Sequence, residues 1–114
     1  MNLFYLKDIL VKPSTTQEER LECLWKIKKN IQKPVFGMAM KALIVDFLKI
    51  PDLLIQKELL SAMQASNHHS LLHPLKDLLK YQRQHMEEGL VEEVEDTIAM
   101  LGLVSKRQQS FQLK

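Results

Sequence analysis

The chain has 114 residues and a formal net charge of +2, from sixteen Lys and Arg against fourteen Asp and Glu. That length suits one domain or a piece of a larger protein. Hydrophobic residues at 46% exclude wholesale disorder, and so small a net charge does not by itself point to nucleic acid or an anionic membrane.

The first predicted helix covers Asn2 to Val11, with Leu3, Leu6, Ile9 and Leu10 on one face and Pro13 as its stop. Thr15 and Thr16 stand three residues before Glu18 and Glu19, a capping-box spacing that opens a second helix reaching about Ile31. Its apolar face is read as Leu21, Leu24, Trp25, the stem of Lys28, and Ile31. Pro34 suits the first turn of a third helix, to about Lys49, which is apolar around most of its circumference and is expected in the middle of the fold. Pro51 and Asp52 open a fourth helix, to about Ala65, with Leu53, Ile55, Leu59, Leu60, Ala62 and Met63 apolar. Ser66 to Ser70 reads as a polar loop. A fifth helix starts at Leu71 or Pro74 and runs to Glu88, with Leu71, Leu72, Leu75, Leu78 and Leu79 at helical spacing. Gly89 fits a left-handed position just past it. The sixth helix runs from Leu90 to Leu101 and stops at Gly102, leaving residues 105–114 as a flexible polar tail.

Charge is unevenly spread along these elements. Met1 to Lys49 holds nine basic and five acidic residues, whereas Glu87 to Gly102 holds six acids and no base. The single cysteine, Cys23, cannot form an internal disulfide, which fits a reducing compartment, cytoplasm or nucleus. Met1 to Val11 lacks the basic start and long apolar stretch of a secretory signal. No run approaches the roughly twenty apolar residues that span a bilayer.

The expected fold is all-α: about six helices in antiparallel pairs, in one domain over residues 1–104. Sliding the chain on itself by 36 places Val35 on Leu71, Phe36 on Leu72, Ala39 on Leu75 and Leu43 on Leu79. A slide of 38 places Leu21 on Leu59, Trp25 on Met63 and Pro13 on Pro51. With prolines near helix starts and the apolar third helix, Thr16 to Leu101 resembles HEAT or armadillo-type helical repeats. The Asp-Arg pattern common in HEAT repeats and the glycine of an armadillo unit are missing. The resemblance implies a solenoid-like stack, as a terminal part of a longer array, that works as a scaffold. A compact six-helix bundle is the alternative architecture.

No constellation for catalysis, cofactor or metal emerges. His68, His69, His73 and His85 lack a companion cysteine or an HExxH spacing, and a polar loop capping a helix accounts for the first three. Cys23 among Leu21, Leu24 and Trp25 reads as a buried structural thiol, and Trp25 as core. Isolated Gly37, Gly89 and Gly102 make no phosphate loop, and no serine-hydrolase elbow occurs. Most of the six methionines read as core filler. The expectation is a non-enzymatic protein–protein interaction or scaffold module, whose partner is another protein, a second copy, or a peptide or helix in a groove. Phe4, Tyr5, Tyr81 and Met86 are the candidate apolar contacts, and Glu92 and Glu95 the candidate acidic ones. The alternative is a nucleic-acid-associated domain, or one taking an acidic partner, that uses Lys26, Lys28, Lys29 and Lys33.

Overall fold

The computed structural model describes residues 3–112, with side chains described as far as Leu103. Among these residues there are six α-helices and no strand. They are α1 (Leu3–Val11), α2 (Gln17–Lys28), α3 (Pro34–Val45), α4 (Leu53–Ser66), α5 (Leu72–Gln82) and α6 (Glu88–Gln112). Short 3-10 turns follow α3 at Phe47–Lys49, precede α5 at His69–Leu71 and follow α5 at Arg83–His85.

The helix starts follow the local chemistry. Thr16 caps α2: its hydroxyl accepts from the Glu19 N–H at 3.2 Å, and the Glu19 carboxylate accepts from the Thr16 N–H at 3.0 Å. Those bonds to Thr16 hold the Glu19 carboxyl below its ordinary pKa. Asp52 caps α4 by accepting from the Ile55 N–H. Pro34 occupies the first turn of α3, and the preceding Lys33 is extended as a residue before proline must be.

The helix ends were less legible. Helix α2 stops at Lys28 rather than near Ile31, in tight turns where the Asn30 side-chain amide donates to the Lys26 carbonyl at 2.7 Å. Helix α3 stops at Val45, and Asp46 leads into the 3-10 turn; Ile50, before Pro51, is again extended. Helix α5 stops at Gln82 and not at Glu88. No described glycine has a positive φ. Gly89 therefore does not end α5; it lies in the first turn of α6. Gly102 does not stop α6 either, since the helix continues to Gln112. A helical glycine costs about 1 kcal/mol relative to alanine, which neighbouring turns absorb. Among the described residues the one in the left-handed region is Asn67, at φ 58°, which closes α4. Residues 105–112, read as tail, belong to α6, while Leu113 and Lys114 lie outside the described residues.

The helices sort by parity. Helix α1 packs on α2 and α3, α3 on α5, α2 on α4, α4 on α6, and α6 on α5. Odd helices form one layer and even helices the other. Within a layer neighbours run parallel: Gln17 at the start of α2 donates to Asp52 at the start of α4 at 3.0 Å, and Gln64 of α4 donates to Thr97 of α6 at 2.8 Å. The Cα envelope of 52 × 34 × 17 Å is a slab whose thin dimension fits two layers of helices with axes about 10 Å apart. One core cluster fills the space between them, from Leu3, Leu6 and Leu10 through Phe36, Leu43, Phe47, Leu59 and Met63 to Leu90, Val94 and Leu101.

Starts of α2, α4 and α6, at Gln17, Leu53 and Glu88, are 36 and 35 residues apart. Burial follows the same interval. Cys23, Leu24 and Ile27 of α2 correspond to Leu59, Leu60 and Met63 of α4, all buried. The register of α2 on α4 is thus 36, where the sequence reading used 38. The face of α2 is corrected with it: Leu24 is buried as expected, but Leu21 and Trp25 point outward. The same interval relates Arg20 to Gln56, both buried. Arg20 donates to the carbonyls of Leu10 (3.0 Å) and Lys12 (2.6 Å). Gln56 donates to those of Phe47 (3.2 Å) and Ile50 (3.1 Å). Each even helix of the first two pairs thus sends one polar side chain back to satisfy carbonyls freed at the end of the odd helix before it.

Candidate functional site

Helix α3 is apolar enough to be central, yet not all of it is covered. Met38, Lys41 and Val45 recur at i, i+3 and i+7 and so share one face. On α5, His73, Asp77 and Tyr81 do the same at i, i+4 and i+8. The start of α5 lies beside the start of α3, because the His68 ring stacks on Phe36 with centroids 5.6 Å apart. The two faces therefore flank one groove of about 370 Å³, lined by Ile44, Val45, Pro74, Leu78 and Tyr81, with Lys41, Asp77 and Gln82 on its rim. Ile44 and Leu78 are buried and form its floor. Val45 is 72% exposed, Tyr81 64% and Met38 61%. Val45 and Tyr81 line the groove and contribute little to the core; Met38, on the same face of α3, lies outside the lining.

What positions the groove is visible in its surroundings. The His68 imidazole Nε2 lies 2.9 Å from the Ile31 carbonyl, so the loop before α5 is tied to the turn before α3. A Cβ on Gly37 would sit 3.2 Å from His68 Nδ1, closer than ordinary contact. Gly37 thus lets the imidazole lie against α3. His73 Nε2 lies 3.3 Å from the Asp77 carboxylate, an ion pair only when the imidazole is protonated. The Lys80 ammonium sits 5.2 Å from the centre of the Tyr81 ring.

The even layer carries a second, smaller cleft of about 270 Å³ between α2 and α4, lined by Leu21, Leu24, Trp25, Lys28, Leu54 and Glu58. Trp25, expected in the core, is 56% exposed. Core space on α2 is taken by Cys23, Leu24 and Ile27, and Trp25 lies on the adjoining, solvent-facing side. The Lys29 ammonium lies 3.5 Å from its ring centre, and Lys28 bridges to Glu58 at 2.6 Å.

The remaining expected contacts do not converge. Tyr81 lines the α3–α5 groove, but Met86 lies beyond the end of α5, half-buried beside Leu48, Ile50, Leu53 and Leu90 in a separate crevice. Phe4 and Tyr5 are exposed on α1. Glu92 and Glu95 are exposed on α6, and Glu95 lies 3.7 Å from Arg83. Of the basic stretch, Lys26 pairs with Glu22 at 3.6 Å, Lys28 with Glu58, and Lys29 covers Trp25; Lys33 is exposed at the start of α3. Arg20, their neighbour in sequence, is buried.

The reactive groups are dispersed. His68 is engaged with Ile31 and Phe36, while His69, His73 and His85 are exposed. Among the described residues no three His, Cys, Asp or Glu side chains gather as a metal site. Cys23 is buried, and desolvation pushes its thiol pKa up, away from the reactive thiolate. What the α3–α5 surface offers is apolar area with two opposite charges on its edge. Sequence reasoning found Tyr81 but placed Val45 and Met38 among the apolar bulk of α3. Their signal was the i, i+3, i+7 spacing that they share with Lys41. The chain matches no family model, no curated protein and no solved structure.

Proposed function

We propose that this protein is a non-enzymatic interaction module whose docking face is the groove between α3 and α5. The observation that carries the reading is the exposure of Val45 and Tyr81 beside a recessed apolar floor of Ile44 and Leu78. Contiguous apolar surface of this kind marks interaction sites on monomeric domains. Tyrosine that becomes covered on binding is a frequent anchor of binding energy. Its occupant is a protein surface with apolar side chains at helical spacing, since two parallel helices make a trough that takes a third.

The parity of the packing, odd on odd and even on even, supports the likeness to HEAT or armadillo-type stacks, as does the interval of 35 to 36 residues. Both support a scaffold role. The lone buried cysteine supports an intracellular setting. No described helix is long and apolar enough to cross a membrane. Nucleic acid is the weaker reading, because Lys26, Lys28 and Lys29 are already engaged within the chain.

The test compares wild-type chain with Val45→Glu and with Tyr81→Ala in cross-linked captures from cell extract. Both positions are exposed, so helix content by circular dichroism should stay unchanged. Partners should be lost or reduced about tenfold with each variant, the usual cost of truncating an anchor residue. An identical set of partners, equally abundant, would refute the assignment of this groove.

A further inference from the structure

The shape and charge of the α3–α5 groove also specify what fills it. We infer that the occupant is a second copy of this chain, joined through a twofold axis that passes between Lys41 and Asp77. This deepens the docking-face reading and rests on it.

A twofold interface uses the same patch on both subunits, so the patch must supply both members of every complementary pair. This patch does. It holds projecting side chains, Val45 and Tyr81, next to a recess floored by Ile44 and Leu78. It also holds one cation and one anion across the groove, Lys41 on α3 and Asp77 on α5. Lys41 has no ion pair among the described residues, and Asp77 has only His73, which is a charged partner only when protonated. A foreign partner would need to match an alternating pattern of charge. A rotated copy matches it without further adjustment.

The geometry follows from the parallel run of α3 and α5. Rotation by half a turn about an axis lying along the groove turns the copy face to face, exchanges the two stripes and keeps their direction. Lys41 then lies over Asp77 of the partner subunit, and this pair occurs twice. Val45 falls on Tyr81 of the partner subunit, an apolar contact of an aliphatic side chain on an aromatic ring. Met38 falls near His73 of the partner subunit. The exposed apolar side chains are covered, and both rim charges are neutralised by ion pairs at the interface edge.

Sedimentation velocity over roughly 1–200 µM at neutral pH and moderate salt tests the inference, a range that brackets weak symmetric association. The wild-type chain should pass from monomer to dimer in this range. Val45→Glu should leave only monomer. Lys41→Asp and Asp77→Lys should each weaken the dimer about tenfold, because two symmetric pairs become repulsive. The double variant carrying both changes should restore the wild-type constant to within about threefold, as expected if the two charges couple directly. Circular dichroism checks that each variant remains helical. A chain monomeric throughout, a dimer indifferent to Val45→Glu, or a double variant no stronger than the singles would each overturn the inference. A monomeric chain whose captured partners still depend on Val45 and Tyr81 would refute self-association and leave the docking-face reading intact.

Discussion

Arg20 and Gln56 show how much one residue can hide from its neighbours in sequence. Arg20 stands beside a lysine-rich stretch and reads as one more surface cation. Its side chain instead turns inward to the carbonyls of Leu10 and Lys12, and Gln56 repeats the device one interval later at Phe47 and Ile50. Buried carbonyls left without donors cost about 1–3 kcal/mol each. Arg20→Met, which keeps the stem and deletes both donors, orphans the Leu10 carbonyl, since that of Lys12 keeps the Thr15 N–H. Gln56→Leu orphans the Ile50 carbonyl, since that of Phe47 keeps the Ile50 N–H. Each should therefore lower unfolding free energy by about 1–3 kcal/mol. Urea denaturation of the two variants measures this; losses under about 0.5 kcal/mol would mean that the bonds are not maintained in solution. Local pattern could not reveal the burial, because a charged residue enters a core only when tertiary neighbours supply its partners. Cys23 was legible for the opposite reason. A small apolar side chain needs only space, and it is buried as expected beside Leu24, although Leu21 and Trp25, read with it, are exposed.

Helices were legible where their signals are local. The Thr16–Glu19 capping box, Asp52 before α4 and Pro34 at the head of α3 all stand where sequence places them. Each acts through bonds spanning three or four residues. Helix ends failed where the reading relied on glycine alone. Gly102 was expected to stop α6, yet it is helical and a Cβ there would meet nothing within 4 Å. Gly102→Ala should accordingly stabilise the protein by up to about 1 kcal/mol, through helix propensity. A left-handed stop at this position would give the reverse sign. A lowered thermal midpoint in the alanine variant would thus contradict a continuous α6. The face of α2 failed for a related reason. Leu21, Leu24 and Trp25 form one plausible stripe, and Cys23, Leu24 and Ile27 form another about one residue round the helix. Periodicity ranks them equally; contact with α4 chooses the second.

At the scale of the whole molecule, two thin layers leave much of each helix near solvent, and a few polar links tie the layers' edges. Asp46 at the end of α3 receives Lys7 of α1 at 3.2 Å and Lys49 at 3.1 Å. These hydrogen-bonded ammonium groups, Lys49 foremost, hold its carboxyl below the ordinary aspartate value. A carboxyl whose folded pKa lies below its unfolded one stabilises the fold at pH above the unfolded value. That contribution fades as pH falls from about 4 through the folded pKa. Asp46→Asn should therefore flatten the loss of stability below about pH 4 while weakening the protein near neutrality. Urea midpoints measured from about pH 2.5 to 7 check both signs. A variant whose acid slope equals that of wild type would exclude Asp46 as a contributor.

The sequence by itself determined that this chain is helical, how many helices it makes and where most of them begin. Those properties depend on apolar recurrence and on caps closed within one turn. Only the tertiary structure decided which side of α2 faces inward, that Arg20 and Gln56 serve the core, and that Val45 and Tyr81 flank one groove. Side chains 36 residues apart meet through the packing of one helix on another, and nothing in the local backbone encodes that register.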